Sequence, residues 1–298
     1  MQVHERRAAA SENRRRLLLV LGLSALTMLA EAIGGLWTGS LALLADAGHM
    51  LSDVSALSLS VLALSLAQRP RGPQQTYGHH RTEILAALAN GVLLAGVSLS
   101  ILVESVERIG RPTPILAGPM LAIASLGLAV NLAALGMLWS GRRHDLNVRG
   151  AWLHVAGDAL GSVGAITAAA LVLAFGWSWA DPVASLLISG LVLWSAWTLL
   201  REAVGILMEW APPHLDVREI ERAIRGLAGV NAVHDLHVWT IASGMVALSG
   251  HVVAGEDRDP RKLLQEVSDL LHDRFEISHS TIQIESQDFD EPGGVCFT

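Results

Sequence analysis

A chain of 298 residues that is 51% hydrophobic and only 16% charged, with the charge gathered at the N-terminus, in short connections and after Trp210, has the distribution of a polytopic membrane protein with a soluble tail. Its single cysteine, Cys296, excludes an intramolecular disulfide. The formal net charge of −7 combines a basic membrane half with an acidic tail, which gives nucleic-acid binding little support.

In chain order, residues 1–16 form a polar segment that carries Arg6, Arg7, Arg14, Arg15 and Arg16. The apolar run that follows, 17–37, is close to the ~20 residues a spanning helix needs. It reads as an uncleaved first span, because a signal peptide has a shorter apolar core and more spans follow here. Further apolar runs at about 41–66, 84–106, 115–139, 146–175 and 180–203 bring the expectation to six transmembrane helices in a domain covering 17–210. Arginine sets the orientation. The N-terminus, the connection from Arg69 to Arg81 and the connection from Arg142 to Arg149 are arginine-rich, whereas Trp37-Thr38-Gly39-Ser40 and Gly176-Trp177-Ser178-Trp179 carry none. The positive-inside rule then places both termini in the cytoplasm, against the minor contrary weight of Arg108 and Arg111.

After Trp210, Ala211-Pro212-Pro213 ends the last helix, because proline donates no helical hydrogen bond and restricts the residue before it. A soluble domain is expected over 211–290, with a flexible tail over 291–298. Within it, 216–227 reads as an amphipathic helix, 232–241 and 246–253 as strands, 260–275 as a helix and 281–285 as a strand. That αββαβ order predicts a small α+β sandwich with helices on one face of a sheet.

Two stretches inside the apolar runs carry chemistry. Asp46-Ala47-Gly48-His49-Met50-Leu51-Ser52-Asp53 and His154-Val155-Ala156-Gly157-Asp158 each set a histidine four residues before an aspartate. On a helix that spacing puts both side chains on one face, with β-carbons roughly 5–6 Å apart. Ionisable side chains at mid-membrane cost roughly 2.5–3.5 kcal/mol each and need a partner, an ion or water. Two such helices could close a tetrahedral His₂Asp₂ site, and Zn²⁺ accepts both donor types at roughly 2.0–2.2 Å. Small residues around the pairs, including Ala45, Ala47, Gly48, Ala156, Gly157, Ala159 and Gly161, allow close helix approach. Asp46 lines the path or supports the ligands in this reading, while Glu31, Asn90 and Asn131 bond neighbouring helices.

With these residues in view, the chain resembles the cation diffusion facilitator family, in its zinc-transporting branch. The order of spans, His49/Asp53 on the second, His154/Asp158 on the fifth and a metallochaperone-like (ferredoxin-like) α+β domain at the C-terminus all match. Tyr77-Gly78-His79-His80-Arg81-Thr82-Glu83 followed by Leu85-Ala86-Ala87-Leu88-Ala89-Asn90-Gly91 looks like the family's connection into the third span. The resemblance implies a homodimer in a lipid bilayer, a bacterial inner membrane, that exchanges cytoplasmic Zn²⁺ for protons, with cadmium or cobalt tolerated. It also implies a cytoplasmic metal site at His234, His251 and Glu285, completed by Cys296, and a peripheral site drawing on His79 or His80, which His279 approaches. One departure is the short connection Gly141-Arg142-Arg143-His144-Asp145-Leu146-Asn147, which lacks the histidine-rich insert of many eukaryotic relatives.

The expected function is therefore proton-coupled metal efflux by a secondary transporter. One rival is an intramembrane metal-dependent hydrolase, since ligand pairs four apart also occur in zinc proteases. Such an enzyme needs an open coordination position and a general base, and His49-x-x-x-Asp53 encloses no glutamate. The other rival is a membrane metal sensor that moves no ion.

Overall fold

The computed structural model describes residues 2–51, 54–55, 73, 75–111, 113–139, 146–242 and 244–289, and of 2–17, 146–147 and 150 the backbone alone. The elements in order are α1 (Gln2–Thr38), α2 (Leu41–Leu51), α3 (Thr82–Gly110), α4 (Ala117–Leu138), α5 (Leu146–Phe175), α6 (Ala180–Leu207), α7 (Val217–Arg225), β1 (Val230–Ala242), β2 (Met245–Ala254), α8 (Pro260–Phe275) and β3 (His279–Glu285). They pack as two compact units, Met1–Ser60 with Ala89–Leu200, and Val61–Leu88 with Arg201–Thr298.

The first unit is a bundle of apolar helices. Among the described residues five helical stretches are long and apolar enough to cross a membrane: Leu18–Thr38, Thr82–Gly110, Ala117–Leu138, Ala151–Phe175 and Ala180–Leu207. The expected second span is described only as far as Leu51 and at 54–55, and its remainder lies outside the described residues. The polar segment expected ahead of the first span is itself helical and continuous with it, from Gln2 onward. The bundle is apolar outside and polar within. Leu26, Ile33, Leu36, Leu160, Leu187, Leu191 and Trp194 are exposed, whereas Glu31, Asp46, Asn90, Asn131, Asp158 and Asp181 are buried. An aqueous surface would reverse that distribution, and hydrocarbon explains it.

Alanines let the helices approach. Ala42 and Leu43 of α2 pack with Met120 and Ala124 of α4, Ala165, Ala168 and Ala169 of α5 and Ala180 of α6. Leu41 and Ala45 meet Ile101 of α3, and Leu94 of α3 meets Val192 and Ala196 of α6. The α1–α2 and α5–α6 turns are tight because Gly39 (φ 72°) and Gly176 (φ 66°) adopt the left-handed conformation that glycine reaches without a Cβ clash.

The soluble portion of the second unit has the αββαβ order. Asp216 and Asp259 cap α7 and α8, accepting from the backbone N–H groups of Arg218 and Arg261 at 2.9 Å each. Strands β1 and β2 form an antiparallel hairpin, and β3 adds parallel to β2 after the α8 crossover. Ile220 and Ile224 of α7 and Leu263, Val267 and Leu271 of α8 pack on Val233, Leu248 and Val252 of the sheet. Because strand residues alternate between faces, Val252 turned to the helices leaves His251 on the opposite face. There His234 pairs with His251 across the hairpin, and Glu285 lies two residues along β3 from Gln283, the partner of His251.

Candidate metal centres

In the bundle, α2 brings His49 against His154 and Asp158 of α5. One ligand atom from each of the three lies within 4.8 Å of the other two. His49 Nε2 is 3.7 Å from Asp158 Oδ1 and His154 Nε2 is 3.7 Å from Asp158 Oδ2, so the carboxylate sits between the two imidazoles. The rings are 5.7 Å apart at 58°. Asp158 is buried, at 1% exposure, while His49 and His154 are 29% and 38% exposed. Asp53, the fourth residue of the expected set, lies outside the described residues.

Gly161 and Gly127 have a steric role, whereas a Cβ on Gly157 would meet nothing within 4 Å. A Cβ on Gly161 would stand 2.5 Å from Asp46 Oδ1, and one on Gly127 would overlap the Glu31 carboxyl. Ser162 donates to Asp46 Oδ2 at 3.4 Å and Asn131 Nδ2 donates to Ser162 Oγ at 3.4 Å, which links α4, α5 and α2 beside the histidines. Glu31, Asp46 and Asp158 are all buried in the bundle, and among the described residues no lysine or arginine is buried with them. Such an interior attracts cations. A cavity of about 540 Å³ runs from Asp46 and His49 past Gly161, Gly164 and Thr167 to Trp179 at the α5–α6 turn.

The second group is on the sheet. His234 Nε2 is 3.0 Å from Glu285 Oε2, His251 Nδ1 is 2.7 Å from Glu285 Oε1, and the rings lie 5.1 Å apart at 64°. Gln283 donates to Glu285 Oε1 at 2.9 Å and steadies the carboxylate, which is 5% exposed. Two imidazoles and a carboxylate are a donor set that suits Zn²⁺. Cys296 lies outside the described residues. Among the described residues no such three-ligand group forms around His79, His80 or His279. The ring of His279 instead meets Tyr77 edge-on at 5.9 Å.

Sequence reasoning missed Asp181. It stands at the start of α6, fully buried, and caps a different helix. Ser40 Oγ donates to its Oδ1 at 2.6 Å, Leu41 N–H to its Oδ2 at 2.9 Å and Ala42 N–H to its Oδ1 at 3.2 Å. The helix carrying His49 is thereby tied to α6 at its N-terminus. The available signal was a carboxylate among apolar residues in Trp179-Ala180-Asp181-Pro182.

A model of the cation efflux transmembrane domain matches residues 17–208, and one of the cation efflux protein cytoplasmic domain matches 212–287. The cadmium, cobalt and zinc/H(+)-K(+) antiporter of Bacillus subtilis strain 168 is 44% identical over 265 residues, covering 87% of this chain and 85% of that protein. The zinc transporter ZitB of Escherichia coli K12 is 44% identical over 277 residues, covering 92% of this chain and 88% of that protein. A solved metal-bound C-terminal domain of the CzcD transporter is 40% identical and covers 24% of this chain and 99% of its own, with a TM-score of 0.23. The chain therefore belongs to the cation diffusion facilitator (cation efflux) family, and is a multi-pass membrane transporter of metal cations and not an enzyme.

Proposed function

We propose that the chain is a homodimeric antiporter that exports Zn²⁺ from the cytoplasm in exchange for protons, holding the ion between α2 and α5 at His49, Asp53, His154 and Asp158. The observation that carries this is the convergence of His49, His154 and Asp158, from two helices, to within 4.8 Å in an interior that buries carboxylates and no basic side chain among the described residues. Mixed nitrogen and oxygen donors favour zinc and its neighbours over manganese or magnesium, which prefer oxygen alone. A metal ligand must be deprotonated, so zinc binding releases protons and protonation releases zinc. Histidine is suited to this exchange because imidazole in general titrates at about 6.5. The B. subtilis relative is itself named for exchange against H⁺ and K⁺. Arginine asymmetry supports cytoplasmic termini, and the bacterial sources of the relatives support placement in a bacterial inner membrane.

The sheet group belongs to the same reading as the site of a resident zinc that stabilises the dimer, held by His234, His251 and Glu285 with Cys296 completing it. Its fit rests on the donor set and on a buried carboxylate already facing both imidazoles.

The test is zinc uptake into inverted vesicles with and without an imposed proton gradient. Uptake should require the gradient, and Asp158→Asn should abolish it while leaving expression and dimerisation intact. Normal uptake by Asp158→Asn would overturn the assignment of the site, and uptake indifferent to the gradient would overturn the coupling.

A further inference from the structure

The strand that supplies His234 departs from regular geometry at the next residue. In a regular strand, neighbours point to opposite faces, so Asp235 would turn away from the face that His234 shares with His251. Between His234 and His237 the pairing register shifts, and Asp235 adopts φ 50°, in the left-handed region that few residues other than glycine, asparagine and aspartate enter. Such bulges re-aim side chains, and strained backbone of this kind concentrates at functional sites. The result is that Asp235 faces the ligand group. Its Oδ2 lies 4.0 Å from His251 Nε2, and its Oδ1 lies 2.9 Å from His237 Nε2.

The two nitrogens of His251 thus face two carboxylates with different tasks. Nδ1 is the ring nitrogen nearer the ligand group, 2.7 Å from Glu285 Oε1. A ring that ligates through Nδ1 carries its proton on Nε2, and that N–H needs an acceptor. Asp235 Oδ2 is the carboxylate oxygen on that side, at an ion-pair distance that an Nε2–H donor would shorten. A carboxylate behind a ligating imidazole fixes its tautomer and orientation and makes it a stronger donor. His237 holds the far oxygen of Asp235 and so keeps the carboxylate directed at His251.

We infer that Asp235 is a positioning residue for metal binding on the sheet, orienting His251 through Nε2 while Nδ1 faces the ion. The inference rests on the reading of His234, His251 and Glu285 as a zinc site.

The experiment uses the full-length protein in detergent, with zinc affinity measured by calorimetry and the site's symmetry by the visible spectrum of bound Co²⁺. His251→Ala identifies the class of binding site that belongs to the sheet, by removing it. Asp235→Asn keeps the size of the side chain and its tolerance of positive φ but loses the charge. It should weaken that class by about 10–100-fold and shift its Co²⁺ bands, while leaving the remaining zinc sites and the melting temperature of the metal-free protein unchanged. Asp235→Gly, which relaxes the backbone, should show the same loss and decides the matter if the asparagine variant is unstable. Should His251→Ala remove a class whose affinity both Asp235 variants leave within about twofold, the role of Asp235 is overturned and the zinc site stands. Should His251→Ala remove no class, the site itself is overturned and the inference with it.

Discussion

Replacing Asp181 with alanine tests how the second helix is held. Its carboxylate accepts from the Ser40 hydroxyl and from the Leu41 and Ala42 N–H groups, and all four residues are buried. The substitution strands those donors where lipid and protein offer no substitute. A hydrogen bond to a charged group contributes about 1.5–3 kcal/mol, and three would nominally sum to more than 4 kcal/mol even at the low end. The cost of burying the carboxylate offsets part of this. The net loss is set by the donors left unpaired, about 1–3 kcal/mol each, and should come to about 3–5 kcal/mol once the relief of no longer burying a carboxylate is set against them. At about 2–4 °C per kcal/mol for a unit of this size, the melting temperature should fall by roughly 6–20 °C. His49 lies eight residues beyond Leu41, some 12 Å along the helix at ~1.5 Å per residue. The ligand set therefore survives, and transport should fail through misplacement of α2, more severely as temperature rises. Asp181→Asn, which keeps one acceptor, should lose about half as much. The assays are size-exclusion melting in detergent and zinc uptake in vesicles. Combining Asp181→Ala with Ser40→Ala should cost less than the sum of the two. An Asp181→Ala protein that melts within ~2 °C of wild type would refute the reasoning.

Gly161→Ala should impair transport, because the new methyl would stand 2.5 Å from Asp46 Oδ1, so that either the carboxylate turns away from Ser162 or α2 and α5 part, at a cost of about 1–3 kcal/mol; uptake at the wild-type rate would show that the site yields freely there. Zinc should bind the sheet group in competition with protons, since a metal ligand must be deprotonated to bind. Calorimetry in buffers of different ionisation heat should detect the released protons, and zinc binding that His234→Ala and His251→Ala leave unchanged would remove those two residues from the ligand set. A membrane-impermeant maleimide should label Cys296, the only thiol, in inverted vesicles and not in right-side-out ones, with chelator present; labelling from outside would reverse the orientation drawn from arginine.

Much of this was legible in the sequence because the informative patterns are local. His154 and Asp158 are four apart on one helix, and the αββαβ order follows from alternation and helical periodicity over short windows. The helicity of the segment before the first span was not legible as such. Its arginines mark where the membrane ends, while Glu5, Arg6, Arg7 and Ala8-Ala9-Ala10 are good helix formers that carry α1 through. Asp181 escaped notice because its partners are about 140 positions away in the chain, and a cap offered by one helix to another leaves no spacing to read. Asp235 escaped because strand periodicity assigns it to the wrong face, and only the bulge beside His234 returns it to His251.

The two three-ligand groups share a donor set and differ in what holds it. On the sheet, His234 and His251 are opposed by the register of β1 and β2, and Glu285 is placed by pairing of β3 with β2, so backbone hydrogen bonds fix the distances between ligands. In the bundle, among the described residues, side-chain contacts alone join His49 of α2 to Asp158 of α5, with Gly161 set close against Asp46, and helix contacts of this kind shift by about 1–2 Å between the states of a protein. The first arrangement suits an ion that stays and the second an ion that must leave. Spin labels distinguish them in a Cys296→Ser background. With cysteines at the exposed Leu51 and Leu160, removing zinc with chelator should shift or broaden the α2–α5 distance by about 2 Å or more. With cysteines at the exposed Asn231 and Thr281, the β1–β3 distance should stay fixed. If both distances hold, the helical group is as rigid as the sheet and cannot release its ion by helix movement; if both move, strand pairing does not hold the sheet site.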